Sequence, residues 1–242
     1  MLSNFSAEAF AEAWEVIQSE FLLATWETLY VTILSTLFSI LIGLPLGVLL
    51  VVGEKGGILP LPAWLMKVLN VIINILRSVP FLILMILVFP LTRLIMGTVV
   101  GTAPTIVPLV IAAFPFIARL TETSLREINP NTIEMAQSMG ASPMQIIMKV
   151  LIPESVPSLL SAGTTAIVTI LGYSAMSGII GGGGLGKIAI NYGYYRYKDV
   201  IMVAAVVLLV VLVQLFQTFG TKCAVKSDKR IKKEHTARKK NV

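Results

Sequence analysis

Five stretches of the chain stay apolar for close to the roughly 20 residues that carry a helix across about 30 Å of hydrocarbon, and polar residues return between them. Leu29 to Val52 carries no charge, and Trp14, Trp26 and Tyr30 gather before and at its start, as ring-bearing side chains do at a membrane surface. Pro80 to Met96 is apolar except for Arg93 near its far end, where a long side chain reaches back to the headgroups. It opens with a proline, which suits a first helical position. Pro104 to Leu120, Pro157 to Ile180 and Val200 to Phe219 complete the set. Lipid offers the backbone no partner, so each run predicts a helix that satisfies its own N–H and C=O groups. Five crossings put the two termini on opposite sides.

Two other stretches are read as helical without spanning. Leu61 to Leu76 sets Lys67, Asn70, Asn74 and the adjoining Arg77 among apolar residues at helical spacing, the pattern of an amphipathic helix lying on a membrane surface. Thr121 to Pro157 is the longest polar connection. Within it Asn131 or Thr132 is placed to cap a helix through Glu134 that Gly140 ends. Ser142 then caps a second helix that has Pro143 at its first position and runs through Lys149 towards Pro153. The expected unit is helix, glycine turn, helix.

Composition agrees with the pattern and removes several classes. Of 242 residues, 56% are hydrophobic and 13% charged, where an ordinary soluble domain has about a quarter charged. Mean hydropathy is +0.86, which excludes a soluble enzyme, a disordered chain and a disulfide-stapled domain. A lone cysteine, Cys223, and a lone histidine, His235, leave no cluster for a metal and no histidine base for a nucleophile in the membrane. No Lys or Arg precedes Lys55, whereas nine of the nineteen follow Phe219, so the carboxyl terminus is expected in the cytoplasm and the amino terminus outside. The acidic start, with Glu8, Glu12, Glu15 and Glu20, lacks the basic opening of a cleaved signal. Anionic lipid accounts for the basic tail, and the net charge of +6 implies no nucleic-acid partner.

Glu134-Met135-Ala136-Gln137-Ser138-Met139-Gly140 and, after nine intervening residues, Val150-Leu151-Ile152-Pro153 resemble the coupling loop of permease subunits of binding-protein-dependent ABC importers. Met135, Val150 and Ile152 replace the usual alanine, isoleucine and leucine, all within apolar chemistry. Arg77 to Phe81, Phe89 to Arg93, Ala113 to Arg119 and Gly172 to Gly178 are similar to the methionine importer permeases. The resemblance implies an all-α membrane protein of the type I importer kind: five transmembrane helices and a cytoplasmic coupling-helix loop at about 121–157. It implies residues 26–220 as the permease domain, between an extracytoplasmic segment at 1–25 and the basic tail at 221–242. It also implies a homodimer, two ATPase subunits, an external lipoprotein that delivers methionine, and no cofactor. In the loop it marks Glu134, Ala136, Met139, Gly140, Ala141 and Pro153.

The run Gly181 to Lys187 imitates a nucleotide-binding loop, yet Ile188 stands where a phosphate loop needs Ser or Thr, and no strand precedes it. Gly181, Gly184 and Gly186 are read instead as a hinge between the last two spans. Arg93, Arg119, Glu122 and Asp199 lie near span ends, so no mid-membrane carboxylate marks a proton route, and energy must come from another subunit. Five helices barely enclose a path, which favours a two-fold dimer. Gly43 and Gly47, and the small residues of span four, permit close helix contact within or between subunits. Tyr173, Ser174 and Met176 are the candidates to line the path, because a hydroxyl meets a polar amino acid and a thioether suits a methionine side chain; core packing is the other reading of the same residues. Competing functions are a permease for another small amino acid or short peptide, and a secondary transporter that works without an ATPase.

Overall fold

The computed structural model of the chain describes residues 7–228. His235 and the basic residues from Lys229 onward lie outside them. The apolar runs form helices, and most extend beyond their charge-free windows because the flanking residues are also good helix formers. Helix α1 covers Ala7–Val52 and takes in the alanine- and glutamate-rich start, with one wider turn at Ile17–Phe21. Then come α2 (Ala63–Ser78), α3 (Phe81–Leu87), α4 (Phe89–Met96), α5 (Ala103–Arg126) and α6 (Pro130–Ser138). Helix α7 is Pro143–Ile180, α8 is Gly184–Ile188 continuing as a wider coil through Tyr195, and α9 is Asp199–Ser227. No strand occurs among the described residues.

Helices α1, α5, α7 and α9 are each long and apolar enough to span, and α2 and α3, bent by 111° at the break between them, pass the same test only when taken together, as one broken span or a re-entrant loop. This corrects the second span. Pro80 to Met96 is not one helix: it is interrupted at Val88, because Pro90 has no N–H to give to Ile86 and its ring crowds that carbonyl. The amphipathic stretch forms α2, a helix as its pattern predicts and one arm of the bent pair; Pro80, extended at ψ 137°, makes the corner.

Helix α7 differs in the same sense. It begins at Pro143 and runs unbroken through Pro153 and Pro157 into the fourth span. A wider turn at Ile147–Leu151 explains this: the Ile152 N–H reaches back five residues to the Ile147 carbonyl, and Pro153, with no N–H to place, follows directly. The polar connection is therefore shorter than 121–157, since α5 also continues to Arg126.

The chain divides into two compact units. The first is Met1–Ser39, Leu76–Ala113 and Ile167–Phe216. Its core packs Phe21, Ala24, Leu171, Leu185, Ile188, Ile201 and Leu212. Here α1 holds the glycine run. The Glu27 carboxylate accepts from Thr102 Oγ1 at 2.8 Å and from the Gly184 amide at 2.7 Å, while Thr28 Oγ1 accepts the Leu185 amide at 2.9 Å.

The second unit is Ile40–Ile75, Phe114–Ala166 and Gln217–Val242. A Cβ on Gly43 would stand 2.7 Å from the Phe114 carbonyl oxygen and 2.9 Å from Ile117, so this glycine marks close contact of α1 with α5 inside one chain. Gly47 does the same against Ala118 and Thr121. Arg119 of α5 bonds within its own helix and across to α2 in this unit: it donates to Glu122 at 2.6 Å, to Asn70 at 2.7 Å and to Asn74 at 2.9 Å. Glu122 also pairs with Arg126 at 2.9 Å, and Arg126 reaches Glu54.

Candidate functional site

Helix α6, its glycine turn and the start of α7 form the site that the motif predicts. Asn129 is the cap, not Asn131 or Thr132: its side chain accepts the Asn131 amide at 3.0 Å, and Pro130 takes the first helical position. At the other end the Gly140 amide bonds the Gln137 carbonyl and the Ala141 amide bonds that of Ala136, a paired closure that needs a left-handed residue. Gly140 supplies it with φ +77°. Ser142 caps α7 with Pro143 next to it, and Gln145 returns a bond to the Ser142 amide at 2.8 Å.

One face of this hairpin is buried. Ala136, Ile146, Ile147 and Leu151 pack against Val52, Leu125 and Ile128, with Ala141 half-buried beside them. The other face is open and carries Met135, Met139, Met144 and Met148, each 58 to 76% exposed. Glu134 and Pro153 are exposed as well. Of the marked residues, Glu134, Met139, Gly140 and Pro153 are thus at the surface, while Ala136 and Ala141 seat the hairpin on the helices beneath.

The path candidates separate. Tyr173 is half-buried and stacks on Phe81, ring centroids 4.4 Å apart and nearly parallel. Met176 is 46% exposed, and a Cβ at Gly172 would meet no atom within 4 Å among the described residues, so this side of α7 is open. Ser174 is turned away from it, buried, with its hydroxyl on the Leu171 carbonyl at 2.8 Å. Gly181 and Gly184 have φ of +90° and +83°. Gly186 packs so tightly on Ala175 that a Cβ would displace backbone.

A sequence profile for the binding-protein-dependent transport system inner membrane component matches residues 43–221. The chain belongs to this family. Among its relatives, the probable D-methionine transport system permease protein MetI of Vibrio cholerae serotype O1 is 48% identical over 219 residues, 90% of this chain and 96% of that protein. The D-methionine transport system permease protein MetI of Escherichia coli K12 is 49% identical over 153 residues, 63% of this chain and 70% of that protein. A solved structure of the MetNI methionine ABC transporter in inward-facing conformations has a chain 45% identical, with a TM-score of 0.86 over 89% of this chain and 99% of that one. An amino acid ABC transporter crystallised with histidines shares the fold at a TM-score of 0.68 and 17% identity. The family is an inner-membrane component, and this member crosses the membrane several times with the helical fold of ABC importer permeases.

For a family permease, three features escaped the sequence reading. Glu27 has no motif around it, and its partners lie 75 and 157 residues away. The stack of Phe81 on Tyr173 is equally remote in sequence. The methionine face was legible in principle, as two pairs four residues apart, but exposure of both pairs depends on which side the hairpin buries.

Proposed function

We propose that this chain is the membrane subunit of an ATP-driven methionine importer, acting as a homodimer with two cytoplasmic ATPase subunits and an external substrate-binding lipoprotein. The observation that carries the reading is near full-length similarity to D-methionine permeases, together with a 45% identical chain in a methionine ABC transporter. The amino terminus lies outside and the carboxyl terminus in the cytoplasm; the asymmetry of Lys and Arg supports this.

In this reading the α6–α7 hairpin docks on the ATPase through its open methionine face. Flexible thioethers on a firmly seated hairpin suit a partner surface that changes shape during ATP hydrolysis. Tyr173 and Met176 lie along the path, and Gly181, Gly184 and Gly186 set the turn between the last two spans. Alternating access follows when rotation of the hairpin is passed along α7, with which it is continuous.

The test is reconstitution of the chain in vesicles with its ATPase and binding protein, followed by uptake of labelled methionine. Accumulation should require ATP and the ATPase, and unlabelled methionine should compete better than other amino acids. Uptake without the ATPase would make the chain a secondary transporter, and preference for a different amino acid would overturn the substrate.

A further inference from the structure

At the membrane-surface end of the first span, within the first unit, lies a cavity of about 240 Å³ that the transport reading leaves unused. Its walls carry opposite charges. Glu20 and Glu27 come from α1; Lys187, Asn191 and Tyr192 come from α8 and the wider coil that follows it. Leu23, Ala24 and Ile188 supply apolar lining between them. Both walls depart from regular α-helix here, at Ile17–Phe21 and at Ala189–Tyr195, and turns of that kind recur at functional sites.

The polar groups are held but not used up. Tyr192 donates its hydroxyl to Glu20 Oε1 at 2.7 Å, which raises the phenol pKa above its ordinary value and keeps it a donor. Arg196 lies over the same ring, 4.8 Å from its centre, adding a second cation beside the cavity. Lys187 is exposed and has no ion-pair or hydrogen-bond partner among the described residues. Glu27 spends one lone pair of each oxygen on Thr102 and Gly184, and a carboxylate has about four to offer. A ligand that satisfies both walls must carry a cation and an anion a few ångströms apart.

Depth in the membrane selects the source. Residues 20–27 come just before the charge-free run that opens at Leu29, and Trp14 and Trp26 flank the cavity on α1 at 62% and 64% exposure. That is headgroup level. Leu22 and Leu23, 83% and 64% exposed beside the cavity, form an apolar surface on which acyl chains can lie. The cavity is below the roughly 300 Å³ at which pockets for drug-sized molecules begin, so it admits a headgroup and not a whole lipid.

We infer that this cavity is a binding site for a phospholipid headgroup bearing a primary ammonium and a phosphate, the ammonium set towards Glu20 and Glu27 and the phosphate towards Lys187 and Asn191, with Tyr192 holding the Glu20 carboxylate in place. A primary ammonium donates hydrogen bonds to carboxylates, whereas a quaternary one cannot. Phosphatidylethanolamine should therefore be held and phosphatidylcholine should not.

The experiment uses the full chain in nanodiscs containing equal phosphatidylethanolamine and phosphatidylcholine, with lipid retained after extraction counted by native mass spectrometry. The wild type should retain phosphatidylethanolamine at least tenfold over phosphatidylcholine; Glu20→Gln should reduce that preference about tenfold, and Lys187→Gln should reduce the amount of phosphatidylethanolamine retained about tenfold, each while keeping the helical circular-dichroism spectrum. Equal retention of the two lipids by the wild type would overturn the site, and that comparison needs no variant to fold. Unchanged retention of phosphatidylethanolamine in folded Lys187→Gln would overturn it too. Displacement of the lipid by millimolar methionine, lost in the same variants, would reassign the cavity to a free amino acid. None of these results bears on ATP-driven uptake, so the lipid site and the transport reading fail separately.

Discussion

A Cβ at Gly140 would meet no atom within 4 Å among the described residues, so what resists it there is the backbone, through φ +77°. Gly140→Val should cost about 1–2 kcal/mol of local strain, the penalty of left-handed geometry for an L residue. The spans do not depend on that turn. ATP-driven uptake in vesicles should fall severalfold while the protein is still recovered as folded; wild-type uptake would show that the turn does not set coupling. Met176 is open and poses the converse question. Met176→Ala removes a flexible thioether without leaving a core cavity, so uptake rate or selectivity should change more than thermal stability. Unchanged uptake with a lowered melting temperature would identify it as packing. The motif made Gly140 legible, because only a residue free at positive φ closes a hairpin in that way. Ser174 shows what sequence adjacency leaves open: it neighbours Tyr173 in the chain, but 100° around a helix puts it on the buried face and Met176 on the open one.

Among the elements, the helices were legible wherever apolar runs were long, and illegible wherever a proline decided the outcome. Pro90 breaks a run that hydropathy alone joins, whereas Pro153 leaves its helix intact because a wider turn precedes it. Composition does not distinguish the two cases. The amphipathic pattern around Asn70 and Asn74 was visible, but not its use: both amides accept from Arg119, which ties α2 to α5. Glu122 anchors this cluster at 13% side-chain exposure, between Arg119 and the more exposed Arg126. Glu122→Gln would keep the shape and remove the charge. It should destabilise the protein by roughly 1–3 kcal/mol, mostly through Arg119, since water screens Arg126. Thermal unfolding in detergent checks this, and a melting temperature equal to wild type would mean that Asn70 and Asn74 alone hold the arginine.

For the whole molecule, the topology proposed from the asymmetry of basic residues is testable at a native thiol. Cys223 lies half-buried in the last turns of α9. It should resist a membrane-impermeant maleimide in intact cells and react, slowly, after lysis; labelling in intact cells would reverse the orientation. Sequence composition also suggested a pliable glycine tract, and the attachment of that tract to α1 has a kinetic signature. With the Gly184 amide on Glu27 and the Leu185 amide on Thr28, deuterium should enter these two positions only when the clamp opens, minutes or longer after it reaches unbonded amides. Thr28→Val should release Leu185 and spare Gly184. A run of four consecutive glycines would then hold, in exchange time, one of the slower segments between the last two spans.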